Sequence, residues 1–369
     1  MKIMTVFGTR PEAIKMAPLV LKINEETGMD SVLCVTAQHR EMLDQVLDLF
    51  GLKADYDLDI MKENQTISQI TANVILGLEK VIQKENPDIV LVHGDTTTTF
   101  ASALAAYYSQ KKIGHVEAGL RTYDKYSPYP EEMNRAMTGR LTDLHFAPTE
   151  KNRTNLLLEG IPPESIFVTG NTVIDALRVI LEKPYEFEEE PLKTIDFSKN
   201  RVITVTCHRR ENLGENIMNI FGAVNDIASC FKDVEIVYPV HMNPKVREAA
   251  DKAFKGAERI HLTEPLAYRP FAELMARSHL IITDSGGMQE EAPALGKPVL
   301  VVRKETERPE AVEAGTVKLA GVERDKIFEA AKTLLSDDSE YEKMARAVNP
   351  YGDGFAAERI VEILKSMLP

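Results

Sequence analysis

Residues 280–302, LIITDSGGMQEEAPALGKPVLVV, run from an apolar stretch through Ser285, Gly286 and Gly287 into a short helical pattern, then into a second apolar stretch, PVLVV. Strand, small-residue turn, helix and strand in succession is the repeating unit of a parallel sheet. The same alternation fills the chain. In the first half the apolar runs are KIMTVF, SVLCVTA, DIVLVHGD, IGHVEA, LHFAP and IFVTGN; after residue 200 they are RVITVTCH, VEIVYPVH, RIHLTE, LIITDSG, PVLVV and GTVKLAG. Continuous apolar runs with helical patterns between them predict parallel sheets covered on both faces. The fold class is therefore α/β, with two doubly wound, Rossmann-like domains facing a cleft.

The domain expectation is 1–175 for the first and 176–353 for the second, with a helix over 354–369 packing back on the first. That last stretch carries Ile360, Ile363, Leu364 and Met367 at helical spacing. The connection EKPYEFEEEPLKTIDFSKN is charged, holds two prolines and has no sustained period, so it reads as a surface link. A length of 369 residues suits two domains.

Composition removes several classes. A formal charge of −13 disfavours non-specific binding to nucleic acid or an anionic membrane. No apolar run approaches the ~18 residues a membrane span needs, and MKIMTVF reads as a first strand rather than a signal peptide. Cys34, Cys207 and Cys230 form no CxxC pair and no metal spacing with the histidines, so buried reduced thiols in a reducing cytoplasm are expected. No GxGxxG follows a strand and no GxxxxGK[ST] appears, which disfavours dinucleotide-dependent dehydrogenases and P-loop NTPases.

In open α/β sheets ligands sit beyond the carboxyl ends of strands. The first run ends in GTRPEAIK, where Gly8 permits a tight turn, Arg10 points into the crevice and Lys15 lies about a turn on. Later ends bring Asp95 (HGDTTT) and Glu117 with Arg121 (HVEAGLRT). SPYPEEMNR places Glu131, Glu132 and Arg135 at a helix start, and TCHRREN ends a strand with His208, Arg209, Arg210 and Glu211. An acid at a helix start is ordinarily a dipole partner, and a strand-end histidine is ordinarily a hydrogen bonder. Their convergence on strand ends is what points to a site.

Gly286 and Gly287 let backbone N–H groups approach an anion at the positive end of the helix dipole, yet Glu290 and Glu291 follow at once. A nucleoside diphosphate reconciles the two. Its phosphates take the N–H groups around Ser285, Gly286 and Gly287, while its ribose hydroxyls take Glu291 one turn along. Glu290, about 100° around the helix, is expected to be solvated or bridging.

Six blocks, FGTRPEAIKMAPLV, VHGDTTT, HVEAGLRT, PEEMNR, CHRREN and DSGGMQEEAPALGKPVLVVRKETERPEA, occur in one order across residues 7–311. Together they resemble the non-hydrolysing UDP-N-acetylglucosamine 2-epimerases. The resemblance implies a glycosyltransferase type B fold, a cytoplasmic homodimer, and interconversion of UDP-GlcNAc and UDP-ManNAc without NAD or metal, feeding cell-envelope polysaccharide synthesis. It implies that Arg10, Lys15, Asp95, Glu117, Glu131 and His208 line the reaction site, with Asp95, Glu117, Glu131 and His208 sharing the acid–base work. Phe271, Ser285, Gly286, Gly287, Glu291 and Arg308 then hold the nucleotide and its diphosphate.

The resemblance also implies an activating UDP-GlcNAc beside the substrate, touching Gln38, His39, Gln65, Glu131, Arg209 and His241. Here Asn64 and Glu41 depart from the Arg and Gln of activated relatives, which removes a cation and adds an anion. A glycosyltransferase of the same fold, a hydrolysing epimerase releasing ManNAc and UDP, and a catalytically silent UDP-sugar sensor are the rival readings. The intact acid cluster counts against the sensor.

Overall fold

The structure is a computed structural model that describes residues 1–36, 40–60 and 65–367, with the backbone alone at 40, 41 and 367. The chain divides into two compact units, Met1–Val179 with Tyr351–Pro369, and Ile180–Pro350.

The first unit contains strands β1 (Lys2–Phe7), β2 (Asp30–Val35), β3 (Tyr56–Asp57), β4 (Ile89–His93), β5 (Lys112–Val116), β6 (Leu144–Ala147) and β7 (Ile166–Val168). They form one parallel sheet in the order β3-β2-β1-β4-β5-β6-β7. Every residue of β4 is buried, because helices cover both faces and an IVLVH run has no solvated side to spare for polar residues. Met4, Val6, Val32, Cys34, Val90 and Val92 join Leu78, Val81 and Ile82 of helix Ile67–Glu85 in one apolar cluster. Helix Ala356–Met367 buries Ile360 and Leu364, and its Lys365 pairs with Glu26, the residue that caps helix Arg10–Glu25.

The second unit contains β8 (Arg201–Thr206), β9 (Val234–Pro239), β10 (Ile260–Thr263), β11 (Leu280–Thr283), β12 (Val299–Val301) and β13 (Val317–Leu319). They too form a parallel sheet, in the order β10-β9-β8-β11-β12-β13. Helix Glu215–Cys230 buries Ile217, Ile220, Phe221, Val224 and Ile227, the spacing of a single apolar stripe. That stripe packs with Val205, Ile236, Leu280 and Ile282 of the strands.

Both sheets are doubly wound, and each reverses its strand order between neighbouring central strands, β1 and β4 in one and β8 and β11 in the other. The carboxyl ends of strands flanking such a reversal splay their loops apart and leave a binding crevice. Arg10, Lys15 and Asp95 follow the strands of the first reversal, and His208, Arg209, Ser285, Gly286, Gly287 and Glu291 those of the second.

Two expectations need correction, and one strand escapes the sequence pattern. The connection over 182–200 is not a bare surface link: Phe187 and Leu192 are buried with Val202, Val237 and Leu274, and Tyr185, Ile195 and Phe197 pack against them. The guanidinium of Arg277 lies over the rings of Phe187 and Phe197, so the charge pattern hid an apolar patch under Arg side chains. Cys230 is exposed at its helix end, while Cys34 and Cys207 are buried. Strand β3 pairs through Cys34↔Tyr56 and Val35↔Asp57 alone, too short to leave a periodic signal. Among the described residues no helix is long and apolar enough to cross a membrane.

Candidate functional site

In the first unit the loops after β1, β4, β5 and β7 carry the cluster. Helix Arg10–Glu25 starts at Arg10 with Pro11 in its first turn. A Cβ on Gly8 would collide with the hydroxyls of Thr36 and Thr98. Gly8 does not lie in the left-handed region, so the glycine is there for space rather than for the tight turn expected of it. Glu12 is buried beneath this loop. Its Oε2 accepts the N–H groups of Gly8 (3.0 Å) and Thr9 (2.7 Å), and its Oε1 accepts the hydroxyls of Thr96 (2.5 Å) and Thr99 (3.1 Å). Thr96 is also the N-cap of helix Thr97–Tyr108. One carboxylate therefore ties the Arg10 loop to the Asp95 loop.

Glu117 lies just beyond β5 with φ +63°, a left-handed conformation that costs a non-glycine residue about 1–3 kcal/mol and collects at functional sites. Its Oε2 receives the Lys15 ammonium and the Asn171 amide at 3.0 Å, and His93 Nε2 stands 3.8 Å away. Burial pulls His93 down to about 4 against the opposing charge of Glu117. At neutral pH it is an uncharged ring, and neither of its nitrogens has a hydrogen-bond partner among the described residues.

Asp95 pairs with Arg135, and its carbonyl accepts from Asn134 Nδ2 at 2.9 Å. Burial raises the Asp95 carboxyl, Arg135 opposes that, and the negative charge of Glu117 adds to it. Glu131 opens helix Glu131–Leu141; its Oε2 is buried with no hydrogen-bond partner among the described residues. Glu132 is different. Its two oxygens accept the N–H groups of Thr122 and Tyr123, each at 3.0 Å, so it ties a loop while its neighbour keeps an oxygen unpaired.

In the second unit the loops after β8 and β11 meet. Ser285 and Gly286 lead to Gly287, the N-cap of helix Met288–Ala294. A Cβ on Gly287 would lie 3.2 Å from Glu291 Oε1, and one on Gly286 would lie 3.7 Å from Arg209 Nη2. The Glu291 carboxylate thus folds back over the glycine loop, as a ribose-binding acid would need, and the Arg209 guanidinium brings positive charge to the same loop. Glu290 is not solvated: it is buried and paired with Arg308. Gln289 donates to the Ser285 carbonyl (3.1 Å) and accepts from the Thr306 hydroxyl (2.5 Å), whose oxygen takes the Arg308 N–H (3.1 Å). This chain of bonds fixes Arg308 relative to the glycine loop. Arg303 pins the HRREN loop, donating to Glu211 and Glu307 at 2.6 Å each.

A family model described as UDP-N-acetylglucosamine 2-epimerase matches residues 21–365. The UDP-N-acetylglucosamine 2-epimerase of Bacillus subtilis (strain 168) is 58% identical over 364 residues, covering 99% of this chain and 95% of that protein. The chain belongs to the UDP-N-acetylglucosamine 2-epimerase family. It is therefore an enzyme, an epimerase. A solved Neisseria meningitidis UDP-GlcNAc 2-epimerase, bound to UDP-GlcNAc, is similar at 53% identity and a TM-score of 0.86, covering 99% of this chain and 100% of that one. The S. aureus MnaA–UDP co-structure is similar at 51% identity and a TM-score of 0.86, covering 99% and 96%.

The remaining residues expected at the site belong to both units. Phe271 is half-buried in helix Tyr268–Arg277. Gln65 donates to the Ile60 carbonyl at 2.8 Å in the first unit. In the second unit His241 follows β9 and stacks on His208, with ring centroids 4.9 Å apart and planes 6° from parallel. Gln38, His39 and Asn64, and the side chain of Glu41, lie outside the described residues. Sequence reasoning passed over Glu12, His93, Asn171 and Asp284 as site members. Glu12, His93 and Asp284 sit inside the quoted blocks, so the blocks themselves were the signal; Asn171 ends the VTGN run just past β7.

Proposed function

We propose that the chain interconverts UDP-GlcNAc and UDP-ManNAc at sugar C2, without NAD, metal or net hydrolysis. The C2 proton has no adjacent carbonyl to acidify it. Loss of UDP from C1 builds oxocarbenium character beside C2, so a base can take the proton while the C–H electron pair becomes the C1=C2 bond of 2-acetamidoglucal and the C1–O pair leaves with UDP. Re-addition of UDP at C1, with a proton delivered to the opposite face of C2, completes inversion. Two proton-handling groups are required. The observation that carries the reading is the set of carboxyl groups beyond the neighbouring strands β4 and β5, held in unlike surroundings. Asp95 is raised by burial, the direction a proton donor needs. Glu131 has an unpaired buried oxygen among the described residues, as a proton acceptor needs, and Glu117 is held by Lys15 and Asn171.

Arg10 and Lys15 supply positive charge to this chemistry. Ser285, Gly286, Gly287, Glu291, Arg308 and Phe271 hold the nucleotide, and His208 joins the acid–base set. Preorganised donors aimed at a departing diphosphate are worth several kcal/mol each in a water-poor site. In D2O, UDP-ManNAc formed from UDP-GlcNAc should carry deuterium at C2. Retained protium refutes the elimination, and free ManNAc with UDP identifies a hydrolysing enzyme instead.

The same reading includes UDP-GlcNAc as an activator at Arg209 and His241, a homodimer, and a cytoplasmic role supplying UDP-ManNAc for cell-envelope polysaccharide. Activation predicts a lag with pure UDP-ManNAc that traces of UDP-GlcNAc abolish; prompt linear turnover refutes it. Exposed Leu76, Tyr107, Tyr108, Met133 and Met137 support the dimer, since they lie on helices Ile67–Glu85, Thr97–Tyr108 and Glu131–Leu141, which pack in sequence.

A further inference from the structure

Asp284 follows β11 and is wholly buried. Its backbone N–H joins the Thr206 carbonyl of β8 at 3.2 Å, so it sits at the strand reversal of the second unit. Oδ2 accepts three donors: the N–H groups of His208 (2.9 Å) and Arg209 (2.8 Å) and the Asn212 amide (2.9 Å). Oδ1 is also buried but has no hydrogen-bond partner among the described residues. It faces His208 Nδ1 at 3.5 Å, and the Cys207 thiol lies against the same carboxylate. A buried carboxylate oxygen without a donor is costly unless a donor comes to it. The ring can supply that donor by a small rotation, provided Nδ1 carries the hydrogen.

The far side of the ring is fixed as well. His241 lies parallel to it and is itself held by the Asn243 N–H on its Nδ1 at 3.0 Å. His208 therefore cannot tumble freely, and its two nitrogens have unlike surroundings. From these contacts we infer that Asp284 is the positioning residue of His208, holding its hydrogen on Nδ1 and leaving Nε2 as the nitrogen that exchanges a proton with substrate. The inference rests on the proposed role of His208 in the UDP-sugar reaction.

The charge arrangement suits it. Burial lowers His208 below the ordinary histidine range, Asp284 opposes that fall, and His241 and Arg209 add to it. The Cys207 thiol is pushed well up by burial and by Asp284, and burial, with Cys207 and Asp284 adding to it, raises the Tyr238 phenol, which donates to the Cys207 carbonyl at 2.7 Å. At neutral pH the ring is uncharged, with an acceptor at Nε2. When Nε2 gains a proton, the imidazolium faces the Asp284 carboxyl group across Nδ1, the arrangement by which a buried aspartate serves a catalytic histidine.

The test is 15N spectroscopy of histidine-labelled full-length protein, with the His208 signals assigned by loss in His208→Gln. The expected result is an Nδ1–H tautomer in the unsubstituted protein. An Nε2–H tautomer overturns the inference without any variant having to fold. In Asp284→Asn the amide donates towards Nδ1, so the tautomer should switch to Nε2–H. kcat should fall by about 10²-fold or more with KM little changed, and the double variant with His208→Gln should be no worse than His208→Gln alone. Additive losses in the double variant, or an unchanged tautomer in Asp284→Asn, count against Asp284. Because the tautomer is read without turnover, its failure is distinguishable from failure of the deuterium test.

Discussion

Replacing Glu12 tests whether one buried carboxylate sets the spacing of the Arg10 and Asp95 loops. In Glu12→Ala the Thr96 and Thr99 hydroxyls keep partners, because they lie 3.1 Å from each other and Thr99 reaches the His93 carbonyl at 2.5 Å. The N–H groups of Gly8 and Thr9 lose theirs. A buried donor left unpaired costs about 1–3 kcal/mol; Gly8 is buried and Thr9 half-buried, so water satisfies part of the demand at Thr9 alone. Removing a carboxylate whose burial outweighs its hydrogen bonds, as its raised pKa shows, returns part of the loss. The net expectation is a destabilisation of roughly 2–4 kcal/mol for alanine and ~1 kcal/mol for glutamine, whose carbonyl can serve the N–H pair while the hydroxyls turn their lone pairs to its amide.

Urea unfolding followed by far-UV circular dichroism reads both values. The pH dependence gives an independent sign. A raised carboxyl binds its proton more tightly in the folded protein than in the unfolded chain, so its favourable contribution is complete below the unfolded value of 4.5 and is lost as pH rises through the folded pKa. The difference between the unsubstituted protein and Glu12→Gln should therefore move in favour of the unsubstituted protein as the solution is acidified. Glu12→Ala within about 0.5 kcal/mol of the unsubstituted protein, or a pH trend of opposite sign, refutes the reasoning.

Glu117→Gln should lower turnover by about 10²-fold or more with UDP binding retained, measured by progress curves and calorimetry; normal turnover would reduce Glu117 to a structural acid. Glu291→Ala should weaken UDP by roughly 1.5–3 kcal/mol, the worth of hydrogen bonds to a charged group, and a titration with unchanged affinity would remove Glu291 from the nucleotide site.

The sequence by itself determined the strands and their parallel setting. A continuous apolar run between helical patterns is a local property, and burial on both faces leaves it no alternative reading. It also pointed to the strand ends as the place for a site, because strand ends are legible once strands are. The blocks in their order were specific enough for the family.

Tertiary structure decided what each polar residue does. Glu131 and Glu132 are adjacent acids at one helix start, and only the fold of the 122–123 loop satisfies one and leaves an oxygen of the other unpaired. Lys15 meets Glu117 across 102 residues of chain, and His208 meets Asp284 across 76; no spacing rule spans such separations. Gly8 looked like a turn residue until Thr36 and Thr98 came to fill its Cβ position. The 182–200 segment hid Phe187 and Leu192 behind a run of charge until the sheet offered them a surface. Local pattern fixes which face of an element is apolar, but a side chain's partner, its burial and so its proton affinity depend on neighbours that folding brings from elsewhere in the chain.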